Sequence, residues 1–175
     1  MAQDILVIGS TGYLGQWVAQ LLGERAKTTH RTAAKFPNSL SYDFYAHQSL
    51  LVDETTQVVI FTAAVEVNQP TNQLKVAMRR LLAQLSNHRF VYVSSDAVFN
   101  GDEGNYTEDD PPTPINTYGK NLAICEELVQ EMVADSCIIR PSYIYGFLNH
   151  RLDKRLLRVR ETLMRGETYM AYDDY

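Results

Sequence analysis

The sequence is poor in residues that form disulfide frameworks and metal centres. Its 175 residues include 2 cysteines and 4 histidines. Cys125 and Cys137 form no CxxC pair, and two thiols are too few for a disulfide network, so we interpret both as small, buried apolar residues of a reduced, cytoplasmic protein. The histidines are scattered without the spacing of metal ligands, so no metal site is predicted.

Long apolar runs and a net positive charge are also missing. The longest apolar segments, residues 5–8 and 58–65, are far shorter than the roughly 20 residues that cross a bilayer. The first residues contain no basic segment of the kind that begins a signal peptide. The formal charge of −5 argues against nucleic acid as the main partner. We therefore expect neither a membrane nor a nucleic acid as a partner.

What the sequence does contain is an alternation of short apolar runs and helical periodicity. This pattern is typical of βαβ units, and it predicts an α/β fold of the Rossmann type, a doubly wound parallel sheet with helices on both faces. Residues 36–45 are predicted to be irregular, and residues 50–54 to end a short helix. The predicted strands are residues 5–8, 27–32, 58–64, 90–94 and 136–140, and the predicted helices are residues 16–25, 74–85 and 118–132.

The last part of the chain has a different composition. Residues 150–165 combine one apolar helical stripe with six basic residues, and Gly166 is predicted to end this helix. We interpret the helix as a solvated amphipathic surface helix, with anchoring of a substrate phosphate by one of its arginines as the alternative. The predicted domains are therefore a dinucleotide-binding domain, residues 1–146, and the beginning of a substrate-binding region, residues 147–175.

A glycine-rich turn between the first strand and the first helix is the strongest local motif. Gly9, Gly12 and Gly15 form a GxxGxxG pattern. Glycine is needed where the chain turns sharply, where backbone approaches a pyrophosphate, and where helix and strand pack closely. The start of the helix adds free N–H groups and a positive dipole end. The pattern predicts a pyrophosphate site that also includes Thr11, Tyr13 and Leu14.

The second strand distinguishes between the two nicotinamide cofactors. An acidic residue about 20 residues past the glycines would bind ribose hydroxyls and favour NAD(H). Residues 28–32 contain no acid, whereas Arg31 can pair with a 2′-phosphate, so NADP(H) is favoured over NAD(H). Ala63 and Ala64 are small enough for the cofactor to lie against the sheet.

Five segments carry a resemblance to a known family: VIGSTGYLG, VVIFTAA, FVYVSSDAVFNG, YTEDDPPTPINTYGK and IIRPSYIYG. With these motifs the chain resembles the extended short-chain dehydrogenase/reductase superfamily, and most closely its dTDP-4-dehydrorhamnose reductase branch. The resemblance implies hydride transfer to a nucleotide-linked 4-keto sugar. It implies that Ser95 hydrogen-bonds the reacting oxygen, that Tyr118 is the general acid, and that Arg140 and Pro141 close over the nicotinamide end.

The main departure from this family pattern concerns the active-site lysine. Relatives carry a lysine four residues after the tyrosine, where it lowers the tyrosine pKa and binds the nicotinamide ribose, but this chain has Leu122. Lys120 lies two residues after Tyr118 and is expected on the opposite side of the helix. The alternatives are therefore a catalytically impaired cofactor-binding or regulatory homologue, or a nucleotide-sugar epimerase or dehydratase. Helices 74–85 and 118–132 are the candidates for a homodimer interface.

Overall fold

The computed structural model describes residues 4–46, 49–50, 52–64, 70–148, 151–152 and 154–169. The chain divides into two compact units, Met1–Ser142 and Tyr143–Tyr175. The division falls slightly before the expected domain boundary after residue 146. The functions assigned to the two parts stay predictions.

The first unit contains a six-stranded parallel sheet. Its spatial order is β3-β2-β1-β4-β5-β6, so the strand order reverses beside β1. This order is that of the Rossmann fold, which confirms the predicted fold class. The strands are β1 (Ile5–Ile8), β2 (Ala26–His30), β3 (Leu40–Ser41), β4 (Val58–Phe61), β5 (Arg89–Val93) and β6 (Ser136–Ile139), and the helices are α1 (Tyr13–Leu22), α2 (Thr71–Leu82) and α3 (Thr117–Met132).

Both faces of the central strand β1 are covered. Its four residues are buried, and side chains along a strand alternate between faces. Leu6 and Ile8 belong to the main hydrophobic core together with residues of β4, β5, α2 and α3. Ile5 and Val7 point the other way, where α1 lies against β1 and β2. Right-handed crossovers place α1 opposite α2 and α3 in this manner.

Two predictions for the segment between β2 and β4 are wrong. Residues 36–45 are not wholly irregular, because Leu40 and Ser41 form β3 and pair with the end of β2. The described residues within 50–54 form no helix. Asp53 instead caps a turn, in which the Thr55 N–H donates to Asp53 Oδ1 at 3.1 Å. Aspartate competes for backbone N–H groups in this way, which favours turns over helices.

The second unit contains an unpredicted hairpin and a helix. Phe147–Leu148 (β7) pairs in antiparallel fashion with Arg151–Leu152 (β8), and α4 spans Lys154–Met164. The predicted helix 150–165 therefore begins later than expected, because residues 151–152 are extended. His150 lies outside the described residues. Gly166, with φ of +71°, follows the helix as predicted.

Cys125 is buried as expected, but Cys137, on β6, is exposed, so its interpretation as a buried residue is wrong. None of the described helices is long and apolar enough to cross a membrane. Within the same residues, no three His, Cys, Asp or Glu side chains come together as a metal-binding group.

Candidate dinucleotide-binding and catalytic site

The predicted site residues lie along the carboxyl edge of the sheet. The glycine turn follows β1, Ala63 and Ala64 follow β4, and Ser95 follows β5. β1 and β4 are neighbours, and the connections that follow them lead to opposite halves of the sheet, from β1 to β2 and from β4 to β5. Such a reversal opens a crevice beyond the strand ends, which is where ligands bind in open α/β sheets.

Two glycines of the turn are required by the protein's own packing. Gly9 has φ of +88°, and a Cβ there would lie 2.6 Å from the Ala63 backbone nitrogen. A Cβ on Gly15 would lie 2.2 Å from the Gly9 carbonyl oxygen. Both contacts are far too close for real atoms, so a side chain at either position would push α1 or β4 away from β1. These glycines hold the turn against the sheet.

Gly12 differs from the other two glycines. Its φ of −73° is accessible to any residue. Among the described residues, a Cβ there would meet one atom, the Gly9 carbonyl oxygen at 3.3 Å, a tight contact that is still much longer than those at Gly9 and Gly15. Gly12 is the N-cap of α1 and provides no side-chain cap, and the first turn of α1 contains no acidic residue. Tyr13 and Leu14 therefore begin a helix whose N-terminus is open to an anion.

Polar side chains that the sequence analysis missed stabilise the turn. Gln16 Nε2 donates to the carbonyl oxygens of Thr11 at 3.0 Å and of Gly12 at 3.2 Å. The Gly9 N–H donates to Thr29 Oγ1 at 3.2 Å, which ties the turn to β2. The spacing of Gln16 from Gly12, one helical turn, is a signal that sequence reasoning could have used.

Lys35 also reaches the turn, from the segment after β2. Its Nζ donates to the Thr11 carbonyl oxygen at 2.9 Å. The two residues are 24 positions apart, and no local pattern in the sequence indicates the contact. Arg31 is exposed directly beyond the end of β2. The structure thus places two cations, Arg31 and Lys35, on the segment between β2 and β3.

Ser95 is held in a short turn after β5. Its Oγ donates to Asp96 Oδ1 at 2.9 Å and accepts from the Ala97 N–H at 3.3 Å. Ser95 thereby caps the 3₁₀ turn Asp96–Val98.

The neighbouring Ser94 is buried, and its Oγ makes no hydrogen bond to the described residues. Buried hydroxyls usually have partners, so this one is a candidate for an external partner.

Tyr118 lies in the first turn of α3, with 38% of its surface exposed. The next residue, Gly119, brings this turn close to the segment that carries Ser95. A Cβ on Gly119 would lie 2.1 Å from the Ala97 carbonyl oxygen. Only glycine permits that approach, so the two elements that carry the candidate catalytic side chains are in direct contact.

Leu122 is buried in the main hydrophobic core and is 1% exposed. It follows Tyr118 by one helical turn, on the same side of α3. Lys120, two residues after Tyr118, is exposed. The lysine of the family pattern is thus replaced by a core side chain that can neither carry charge nor form a hydrogen bond.

Arg140 follows β6 and is engaged in a largely buried ion pair. Its guanidinium contacts both carboxylate oxygens of Glu126, at 3.1 Å from Nε to Oε1 and at 2.8 Å from Nη2 to Oε2. Its Cζ lies 5.0 Å from the centre of the Phe99 ring. The Pro141 carbonyl oxygen accepts from the Asp96 N–H at 3.1 Å. This segment therefore supports the Ser95 turn, and its contact with a nicotinamide stays a prediction.

Comparison with known proteins identifies the family. The family model described as "RmlD substrate binding domain" matches residues 3–174. The chain belongs to this family. Among curated relatives, methionine adenosyltransferase 2 subunit beta of Mus musculus is 31% identical over 160 residues, covering 83% of this chain and 48% of that protein. Spore coat polysaccharide biosynthesis protein SpsK of Bacillus subtilis is 40% identical over 75 residues, covering 42% of this chain and 26% of that protein.

Solved structures of related proteins share the fold. A hypothetical dTDP-4-dehydrorhamnose reductase from Sulfolobus tokodaii aligns with a TM-score of 0.74 and 26% identity, over 97% of this chain and 64% of that one. The dTDP-4-dehydrorhamnose reductase from Bacillus anthracis, in complex with NADP, aligns with a TM-score of 0.67 and 22% identity, over 92% and 60%. The RmlD family member described here spans about half the length of the methionine adenosyltransferase subunits it matches, 48% of the mouse protein.

Proposed function

We propose that the chain is an NADP(H)-binding, sugar-nucleotide reductase-like protein whose turnover is impaired by Leu122. The observation that carries the proposal is Gly12, whose missing side chain is poorly explained by the packing of the protein itself. A ligand that approaches the backbone at the start of α1 explains it, and a pyrophosphate suits the open N–H groups and the helix dipole. Relatives in this fold have been solved with NADP and, in the case of MoeE5, with NAD.

The preference for NADP(H) over NAD(H) rests on charge beyond β2. Arg31 is exposed there, and residues 28–32 contain no acidic side chain to accept ribose hydroxyls. A guanidinium matches the geometry of a phosphate and favours the 2′-phosphorylated cofactor.

The proposed reaction is the reduction of a nucleotide-linked 4-keto sugar. The bound cofactor would supply the hydride to the carbonyl carbon. Ser95 Oγ would donate a hydrogen bond to the carbonyl oxygen, and the Tyr118 hydroxyl would transfer its proton to that oxygen as the new C–H bond forms. A phenol with a pKa near 10 can still act as an acid in this direction.

The absence of the lysine is the reason that we expect proton transfer from Tyr118 to be slow. A cation within about 4–6 Å of a phenol lowers its pKa by about 1–3 units, or roughly 1.4–4 kcal/mol. Leu122 provides no such charge. General acid catalysis typically contributes about 10²–10⁴-fold, and we expect the chain to lose much of that factor.

A second candidate function is that of a cofactor-binding subunit without turnover. Several curated relatives that match most of this chain are named methionine adenosyltransferase 2 subunit beta, so proteins with this fold serve as subunits of another enzyme. Leu122 favours this candidate as well. A nucleotide-sugar epimerase or dehydratase remains a weaker alternative, because the acidic proline-rich loop is more typical of the reductase branch.

The remaining proposals concern partners and location. A nucleotide sugar would be the substrate, and a homodimer would form through α2 and α3. These helices pack against each other, and Arg79 of α2 pairs with Glu131 of α3 at 2.9 Å on their exposed side. The small number of cysteines is consistent with a cytoplasmic protein.

Restoring the lysine tests the proposed chemistry. We expect the unchanged chain to show little or no oxidation of NADPH with dTDP-4-dehydrorhamnose, and Leu122→Lys to gain turnover, because a cation one turn from Tyr118 favours the phenolate. The double variant Leu122→Lys/Tyr118→Phe should lose the gain. The measurement is the decay of NADPH absorbance, with thermal melting as the control for folding.

Rapid turnover by the unchanged chain would refute the proposed impairment. Cofactor binding without turnover in either variant would favour the subunit candidate over the reductase.

A further inference from the structure

Lys35 occupies an unusual position for an exposed lysine. Its ammonium group crosses from the segment after β2 to the glycine turn after β1, where it donates to the Thr11 carbonyl oxygen at 2.9 Å. Thr11 already accepts a hydrogen bond from Gln16 Nε2 on that oxygen. The turn therefore has a local partner for this carbonyl, and the contact with Lys35 is an additional one.

The location of this contact coincides with the adenosine end of a dinucleotide. In a Rossmann fold the pyrophosphate lies at the start of the first helix, and the adenosine ribose lies between that turn and the end of the second strand. Lys35 bridges those two features. An ammonium has three donors, and one is used by Thr11, so two remain for a ligand.

The charges around this position favour an anion. The ion pairs of Asp4 with Arg25 and of Asp53 with Lys27 lie at the start of β2, at the opposite edge of the sheet. Within the described part of the chain, neither Arg31 nor Lys35, both of which follow the end of β2, forms an ion pair. Two unpaired cations on one rim raise the local concentration of a dianionic group such as a phosphomonoester.

We propose that Lys35 is a specificity-determining residue that binds the 2′-phosphate of the cofactor's adenosine ribose. This inference rests on the proposed function. The Lys35 ammonium group would donate hydrogen bonds to the Thr11 carbonyl oxygen in the glycine turn and to the 2′-phosphate. Arg31 would approach the same phosphate from the end of β2. Because NAD(H) lacks that phosphate, Lys35 discriminates between the cofactors without contributing to the binding of their shared part.

The test compares NADPH with NADH on single variants of the full chain. Lys35→Met should weaken NADPH binding about tenfold, or ~1.4 kcal/mol, and leave NADH binding within about twofold. Lys35→Arg should retain the preference because it keeps the charge. Lys75→Met, which removes an exposed lysine of α2, should change neither affinity. Cofactor fluorescence titration gives the affinities, and competition by adenosine 2′,5′-bisphosphate isolates the contribution of the phosphate.

The outcomes distinguish failure of the Lys35 inference from failure of the proposed function. Equal weakening of NADPH and NADH in Lys35→Met would mean that the lysine only supports the turn, and it would overturn the inference. An unchanged NADPH affinity would also overturn it. If the unchanged chain binds neither cofactor, the proposed function fails, and the inference fails with it.

Discussion

At the scale of single residues, the glycines of this chain serve two different purposes. Gly9 and Gly15 are required because a Cβ would collide with backbone atoms at 2.6 and 2.2 Å. Among the described residues, a Cβ on Gly12 would meet the Gly9 carbonyl oxygen at 3.3 Å, which is tight but is not a collision of this kind. The proposed pyrophosphate gives a further reason for glycine at this position. On this proposal one motif combines packing requirements with a binding requirement, and only the structure distinguishes them.

Tyr42 gives a pH-dependent prediction at the same scale. The residue is 5% exposed, and burial raises its pKa from 10.0 to about 12. The folded state thus retains the phenolic proton that the unfolded state loses above about pH 10, so stability should fall as pH rises through that range. We expect thermal melting temperatures of the unchanged chain to fall more steeply than those of Tyr42→Phe above pH 10. Parallel slopes for the two proteins would contradict a raised pKa at Tyr42.

At the scale of elements, α3 carries both the candidate acid and a structural ion pair. Tyr118 is in its first turn, and Glu126 follows two turns later, where it is 2% exposed and pairs with Arg140 after β6. Gly119 fits α3 against the turn that holds Ser95. The geometry of Ser95 and Tyr118 therefore depends on how α3 docks against the end of β6 and the Asp96–Val98 turn.

The ion pair can be tested with two adjacent glutamates. Glu126→Ala should destabilise the protein by about 2–3 kcal/mol, because it leaves the largely buried Arg140 without its partner. The cost should stay below the roughly 3–5 kcal/mol of a fully buried pair, since the Arg140 side chain keeps some exposure. Glu127→Ala, at an exposed position of the same helix, should change stability by less than about 0.5 kcal/mol. Urea denaturation measures both, and similar losses in the two variants would contradict a stabilising role for the pair.

The elements also show what can be predicted from sequence. Apolar runs and helical periodicity were sufficient for the strands and helices of the Rossmann core, because burial on both faces leaves a strong pattern. Short segments were not predictable in this way. β3 has two residues, the Asp53 turn depends on one side chain, and the β7–β8 hairpin interrupts a helical pattern. Each is determined by a few hydrogen bonds rather than by periodicity.

At the scale of the whole molecule, the candidate site assembles from distant parts of the chain. The glycine turn and the Ser95 and Tyr118 motifs were recognisable, because each is a contiguous pattern. The contacts of Lys35 with Thr11, and of Glu126 with Arg140, were not recognisable, because tertiary structure brings these residues together. The molecule therefore combines a Rossmann fold with a set of side chains, at one edge of the sheet, for which we propose a reductase site.

The central claim is that this fold binds a nicotinamide dinucleotide at the glycine turn. Gly12→Ala is the most direct variant, since the φ of −73° is accessible to alanine and its Cβ would meet only a tight contact of 3.3 Å among the described residues, while the proposed pyrophosphate needs that space. Isothermal titration calorimetry should show saturable one-site binding of NADPH to the unchanged chain. Gly12→Ala should lose at least about tenfold in affinity while retaining a cooperative melting transition. Absence of NADPH binding to the unchanged chain, or equal binding to the variant, would contradict the account.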